Sequence, residues 1–262
     1  MIKCKIKFPI KLGALVLIIF TALSFIIGRT LRTLKTSDYF KIKGIIASKP
    51  GEGINFSYLV GRNIFNLDLK KESGYISELY PDYKNVRLVR ILPNHLYIGF
   101  TERQPLAYVK LYRYFFADSD LVLFNVPRGE EERELPVIVG LETKIFGAKP
   151  GKRYNIKELA LAMDIIKEAK INNALKKYKI KRVDVANPAN TAFFLQLSDY
   201  PKGFSTTVPE ILEVRIGQGD TSDKIRILGD LFIQLKNDLG NIKYIDLRFK
   251  EPVVKFKDKG GN

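Results

Sequence analysis

Cysteine occurs once in 262 residues, histidine once and tryptophan not at all. A single cysteine excludes a disulfide scaffold, and one cysteine with one histidine excludes the common zinc and dithiol redox sites. The lone histidine, His95, offers no catalytic triad of the Ser-His-Asp kind. It follows Pro93 in a predicted hairpin, where a solvated turn residue is the simpler reading. Acidic residues are also in short supply: 28 against 44 basic ones, a net charge of +16. The excess is unevenly placed. Seven basic residues, Lys3, Lys5, Lys7, Lys11, Arg29, Arg32 and Lys35, precede the first acid, Asp38. They flank an apolar segment, which argues against a nucleic-acid surface as the reason for the charge. Apolar residues at 46% and charged residues at 27% are ordinary for globular chains.

Leu12 to Gly28 is a run of 17 residues without a charge. At the helical rise it spans roughly 26 Å, near the short limit for a hydrocarbon core of about 30 Å. Lys11 and Arg29 can snorkel to supply the missing turn. A buried core helix would show a polar face, and here only Thr21 and Ser24 are polar. A cleaved signal peptide is the rival reading, since Ala22-Leu23-Ser24 is a tolerable small-x-small site. The apolar run continues through Ile27, which suits an uncleaved anchor. Basic flanks on both sides nearly balance the positive-inside rule. The simplest topology has residues 1–11 as a cytoplasmic tail with Cys4 on the reducing side, and everything after the helix outside. The flanking cations suit anionic headgroups.

After a linker, 29–37, residues 38–104 read as strand, helix, helix, strand, strand. Tyr39–Ile46 is the first strand and Pro50-Gly51-Glu52-Gly53 a turn. Ile54–Leu69 is a helical stretch broken at Gly61, and Leu67–Leu79 a second helix weakened by Gly74. Val86–Leu92 and Leu96–Thr101 form a hairpin across Pro93-Asn94. Residues 105–257 read as a mixed, mainly antiparallel β domain. Its short strands are 107–111, 114–117, 121–124, 136–139, 180–185, 192–197, 212–217, 244–249 and 253–256. Two helices interrupt them, one capped by Asn155 with Ile156, Leu159, Met163 and Ile166 on one stripe, and one from about Asp223. Residues 258–262 form a polar tail. The fold class expected is therefore α+β behind a single membrane helix (12–28).

No constellation with catalytic chemistry emerges. Gly217-Gln218-Gly219 precedes a helix, but a phosphate-binding fingerprint needs a third glycine where Ser222 stands. Glu130, Glu131, Glu132 and Glu134 sit beside Arg128 and Arg133 and read as a solvated loop. Asp164 and Glu168 lie one helical turn apart with no further carboxylate. The expectation is a non-enzyme without cofactor or metal, working by binding, for which exposed sheet edges are natural devices.

A set of short motifs then carries a resemblance. Pro93, Leu96-Tyr97-Ile98 and Glu102-Arg103-Gln104-Pro105-Leu106-Ala107 are similar to the Pro, Leu-x-Ile and Glu-Arg-x-Pro-x-Ala elements of the FtsQ/DivIB family of bacterial cell-division proteins. Gly61-Arg62-Asn63-Ile64-Phe65-Asn66-Leu67-Asp68 resembles its G-x-N-ϕ-ϕ-x-ϕ-D segment. Asp118-Ser119-Asp120 with Phe124 resembles its Asp-x-x-Gly turn, with the glycine missing. Leu135-Pro136-Val137-Ile138-Val139-Gly140, Gly219 through Lys224, and Asp246-Leu247-Arg248-Phe249 match three further segments in order. The resemblance covers about 38–256. It implies a cytoplasmic tail, one membrane helix, a POTRA domain over 38–104 and a β domain over 105–257. It further implies a scaffold without catalysis at the division septum of the inner membrane, binding FtsB/FtsL-type partners and helping to regulate septal peptidoglycan synthesis. The POTRA domain would meet other divisome members near Tyr39–Ile46. Partner contact is implied at Tyr244, Arg248, Phe249 and Phe256, by strand addition. Phe249 and Phe256 read equally well as core residues of a terminal hairpin. Tyr244 and Phe249, five apart in one strand, would face opposite sides, and Pro252 places Glu251–Phe256 at an edge or bend.

Three other readings compete. A POTRA-bearing envelope assembly or secretion protein would carry a β-barrel's ten-residue alternating strands, which are not apparent. An envelope enzyme would need a paired carboxylate or activated nucleophile. A general envelope-anchored binding protein needs neither.

Overall fold

The computed structural model of the chain describes residues 10–48, 54–127, 133–197 and 211–257. The expected cationic tail with Cys4, the Pro50–Gly53 turn, Glu130–Glu132 and the polar tail lie outside the described residues. The uncharged run falls inside one helix, α1 (Ile10–Thr36), which continues without a break through most of the segment expected as a linker, 29–37. Of its side chains from Gly13 onward, all are exposed except that of Leu34, as suits a helix made for lipid rather than for a protein core. Gly13–Thr36 is long and apolar enough to cross a membrane. Thr21, Thr30, Thr33 and Thr36 return their hydroxyls to carbonyls three or four residues back, so their polarity is met within the helix.

The chain divides into two compact units, Met1–Thr101 and Glu102–Asn262. Besides α1, the first holds a three-stranded sheet of β1 (Gly44–Ala47), β2 (Tyr83–Ile91) and β3 (His95–Glu102), in the order β1-β3-β2. β1 runs parallel to β3 with Gly44 opposite His95. A Cβ on Gly44 would fall 2.6 Å from the His95 ring, so the glycine leaves room for the exposed imidazole. α2 (Leu69–Leu79) packs on the sheet through Ile76, and Asp68 caps it by accepting from Lys70 N and Lys71 N.

Two expectations for this stretch need correction. The helix expected over Ile54–Leu69 is only a single 3-10 turn, Ser57–Leu59. Beyond it Gly61 takes φ +83°, and Asn63 turns its Oδ1 back to Phe65 N. Both features end a helix and begin a loop. The first strand is shorter than expected, because Asp38–Phe40 forms a 3-10 turn capped by Ser37. The apolar residues read as helical still enter the core: Leu59, Ile64 and Leu67 are buried with Ile42, Leu88, Leu96 and Ile98.

Among its described residues the second unit holds one nine-stranded mixed sheet and two α-helices. Its strands are β4 (Ala107–Lys110), β5 (Tyr114–Ala117), β6 (Leu123–Phe124), β7 (Val137–Val139), β8 (Lys179–Asp184), β9 (Ala192–Gln196), β10 (Ile211–Arg215), β11 (Ile242–Asp246) and β12 (Val253–Phe256). They lie in the order β12-β11-β10-β9-β8-β7-β4-β5-β6. Pairs β4–β7, β7–β8 and β10–β11 are parallel and the rest antiparallel. Val109, Ile138, Val183, Phe193, Val214 and Ile245 form a cross-strand row on one face. They share the core with Leu159, Met163 and Ile166 of α3 (Lys157–Ile171) and Ile225, Leu228 and Phe232 of α4 (Thr221–Gln234).

Helix starts differ from the sequence reading. α3 begins after Ile156 with no side-chain cap, so Asn155 does not cap it. α4 is capped by Asp220, which accepts from Asp223 N. Three of the short motifs acquire a structural reason here. Arg103 Nη1 reaches Asp118 Oδ2 at 2.6 Å. Leu121, standing where the turn pattern has glycine, adopts φ +61°. Gly140 adopts φ +89°, and a Cβ there would fall 2.3 Å from Ala186 N.

Candidate functional site

The four residues implied as partner contacts fall on the last two strands and the turn between them. β11 is paired on one side to β10, in parallel, and on the other to β12, antiparallel. Among the described residues β12 ends the sheet. Pro252 stands just before it, where a missing N–H costs no ladder bond. The register places Ile242 opposite Phe256, Tyr244 opposite Lys255, Ile245 opposite Val254 and Asp246 opposite Val253, with an irregularity between Ile242 and Tyr244. Ile245 is buried in the core and Val254 packs against it. Alternation then puts Phe256 on the helix-covered side and Tyr244 and Lys255 on the opposite face.

Tyr244 is half-buried one strand in from the edge. The Arg215 guanidinium lies 4.1 Å from its ring centroid. That guanidinium is held by Glu213 at 2.7 Å, and this hydrogen bond raises the Arg215 pKa. Lys255 and Glu213 flank Tyr244 across the sheet.

Phe249 is not on the strand. β11 stops at Asp246, so alternation does not decide where Phe249 points. The strand ends because Asp246 turns its carboxylate onto the following chain. Its Oδ1 accepts from Arg248 N at 3.0 Å and Arg248 Nε at 2.9 Å, and its Oδ2 accepts from Arg248 Nη2 at 2.6 Å. Arg248 Nη1 donates to Asn190 Oδ1 at 2.6 Å. The hydrogen bonds from Arg248 hold the Asp246 carboxyl below the ordinary carboxylate range, against the opposing effect of burial. Gly217, at φ +59°, makes space for this clamp, since a Cβ there would lie 3.0 Å from Arg248 Cγ. Arg248 is thus committed within the chain, and a partner's carboxylate would have to compete with Asp246 and Asn190 for it. Phe249 and Phe256, by contrast, are 61% and 46% exposed. Large aromatics left in water at a sheet edge are costly unless something covers them.

The loop before α4 does not cradle phosphate. Lys224 Nζ donates to Ile216 O at 2.7 Å and Gln218 O at 2.6 Å. The loop therefore turns carbonyls toward a cation, the opposite of an anion-binding nest. Burial lowers the Lys224 pKa. Glu168 accepts from Ser222 Oγ at 3.0 Å, tying α3 to α4 rather than serving chemistry. Among the described residues no three His, Cys, Asp or Glu side chains gather into a metal-holding group. Sequence reasoning found the edge but missed the Asp246–Arg248–Asn190 clamp. Its signal was present in the spacing of two between Asp246 and Arg248, which suits a carboxylate folding over its own turn.

No family model matches the chain. Curated relatives do. The cell division protein FtsQ of Syntrophotalea carbinolica is 28% identical over 233 residues, covering 87% of this chain and 77% of the relative. That of Geotalea daltonii is 23% identical over 228 residues, 86% of this chain and 71% of the relative. A third, from Koribacter versatilis, is 23% identical over 225 residues.

Proposed function

We propose that this chain, which is similar over most of its length to curated FtsQ cell division proteins, belongs to the FtsQ/DivIB family and is a membrane-anchored scaffold of the divisome that works by binding and not by catalysis. The observation that carries the reading is the β12 edge, which ends the sheet among the described residues, with Phe249 exposed and Phe256 half exposed beside it. An edge strand presents main-chain donors and acceptors in register for an incoming strand, and exposed aromatics supply the buried area that gives such additions their strength. The partner in this proposal is an FtsB/FtsL-type division protein. Tyr244, stacked under Arg215, stiffens the strand behind the edge. Arg248 shapes the turn and meets a partner carboxylate only if Asn190 gives way.

In the same proposal residues 38–104 form a POTRA-like domain that meets other divisome members through β1, an edge strand of the smaller sheet among the described residues. Residues 105–257 are the β domain, the N-terminal tail is cytoplasmic and both units lie outside. Binding there would help regulate septal peptidoglycan synthesis. Two measurements test this. A fluorescent fusion in dividing cells is expected to form a mid-cell band, and uniform membrane signal in constricting cells refutes the division role. Phe249→Asp, in the turn and 61% exposed, is expected to keep thermal stability within about 0.5 kcal/mol, as an exposed position should. It is expected to weaken capture of the co-expressed FtsB/FtsL-type pair by about 30-fold, the loss typical of an interface anchor. Unchanged capture removes the edge from the proposal.

A further inference from the structure

The Gly61–Asp68 segment plays no part in the partner edge, yet its side chains are closely engaged. The last carbonyls of a helix have no partner within it and need one from elsewhere. In α1 that partner comes from this distant loop. Asn63 Nδ2 donates to Leu34 O at 3.0 Å and Ser37 O at 3.2 Å, and Asn66 Nδ2 donates to Lys35 O at 3.0 Å. Leu34 is also the one side chain from Gly13 to Thr36 that is not exposed. The loop that supplies these donors is itself fixed. Ile64 N donates to Phe40 O, Ile42 N to Arg62 O and Gly61 N to Ile42 O. Phe65 meets Phe40 edge-on at 5.0 Å between centroids. From the other side Arg90 of β2 donates to Ile64 O at 2.8 Å and Leu67 O at 2.7 Å.

We infer that Asn63 and Asn66 are positioning residues that lock the membrane helix to the first folded unit, so that the unit stands at a fixed height and orientation over the bilayer. The inference rests on the reading of α1 as a membrane span. The geometry gives the height. The apolar run ends at Gly28, and the eight residues from Arg29 to Thr36 carry the helix roughly 12 Å farther. That distance exceeds the headgroup layer of about 7 Å on each side. The clasp therefore sits just above the headgroups, while Arg29 and Arg32 lie among them. A flexible linker would let the unit tumble. A helix end held at two of its last carbonyls and at the following Ser37 carbonyl, by a loop buttressed by Arg90, does not.

The test uses the full chain in lipid nanodiscs with Cys4→Ser, and nitroxides at Phe25→Cys in the apolar run and Tyr75→Cys on α2. The parent is expected to give one narrow distance distribution. Asn63→Asp keeps the Oδ1 acceptor that turns the loop toward Phe65 N and removes the donor to the helix. Combined with Asn66→Ala, it is expected to raise the undocked share about tenfold or more, the effect of losing neutral hydrogen bonds of ordinary net worth, and to broaden the distribution. Asn66→Ala alone, which spares the loop's own turn, should broaden it less. A parent distribution already broad, or a double variant as narrow as the parent, overturns the inference. Oxygen accessibility of the Phe25 label reports lipid immersion separately. A label in water sinks the membrane-span reading, while the widths still decide the clasp.

Discussion

Replacing Arg103 by methionine tests whether the start of the second unit is held by a buried ion pair. Arg103 and Asp118 are 2.6 Å apart, with side chains 13% and 1% exposed. The carboxylate also organises the turn that follows it, since its Oδ1 accepts from Asp120 N at 2.9 Å and Val122 N at 3.0 Å. Methionine roughly keeps the stem's volume but leaves a buried carboxylate without its cation. Breaking a buried pair from one side costs about 3–5 kcal/mol, whereas an exposed pair would cost about 0–1 kcal/mol. For a unit of this size each kcal/mol moves the midpoint by about 2–4 °C, so a fall of about 10 °C is expected. Calorimetry of the full chain in detergent should show the change in the transition of Glu102–Asn262 and not in that of the first unit. Asp118→Asn keeps an acceptor for both N–H groups and isolates the charge. The double variant Arg103→Met/Asp118→Asn should lose less than the sum of the singles by at least about 1 kcal/mol. A single-variant loss below about 1 kcal/mol, or simple additivity, refutes the argument.

The remaining expectations concern the clamp and one glycine. Asp246 has a depressed folded-state pKa, so its contribution is fully present above its unfolded value of about 3.9 and is lost as pH falls through the folded value. Denaturation followed from pH 7 downward should show stability falling below about pH 4, and Asp246→Asn should flatten that limb while lowering stability at pH 7. An unchanged acid limb in Asp246→Asn contradicts the assignment. Gly140→Ala combines a left-handed backbone with a Cβ 2.3 Å from Ala186 N. It should cost at least about 2 kcal/mol by urea unfolding, and a cost within about 0.5 kcal/mol would show that the β7 end relaxes.

Periodicity made much of the architecture legible. The uncharged run became α1, the stripe of Leu159, Met163 and Ile166 became the buried face of α3, and the short apolar runs became strands of one mixed sheet. Failures fell where side chains, not apolar spacing, direct the backbone. Ile54–Leu69 has enough apolar residues for a helix, but Asn63 and Asn66 spend their amides on another helix's carbonyls, and such long-range partners leave no local period. Asn155 looked like a cap because caps are asparagines often enough, yet the chain enters α3 one residue later without one.

The same distinction governs the candidate site. Pro252 leaves Glu251–Phe256 at an edge or a bend, and among the described residues β12 is an edge strand. That Phe249 is exposed does not follow from alternation, because β11 stops at Asp246, before Phe249 is reached. What stops it is a carboxylate reaching two residues forward to both the backbone and the guanidinium of Arg248, with Asn190 completing the clamp from 58 residues away. An arginine in a surface turn reads in sequence as a free cation for a partner. Here its charge is already met, and Arg248 shapes the turn that carries Phe249 into solvent. Under the proposed function, the aromatics of the last turn and strand are the residues on which partner capture would depend, with Arg248 acting through the conformation of the turn.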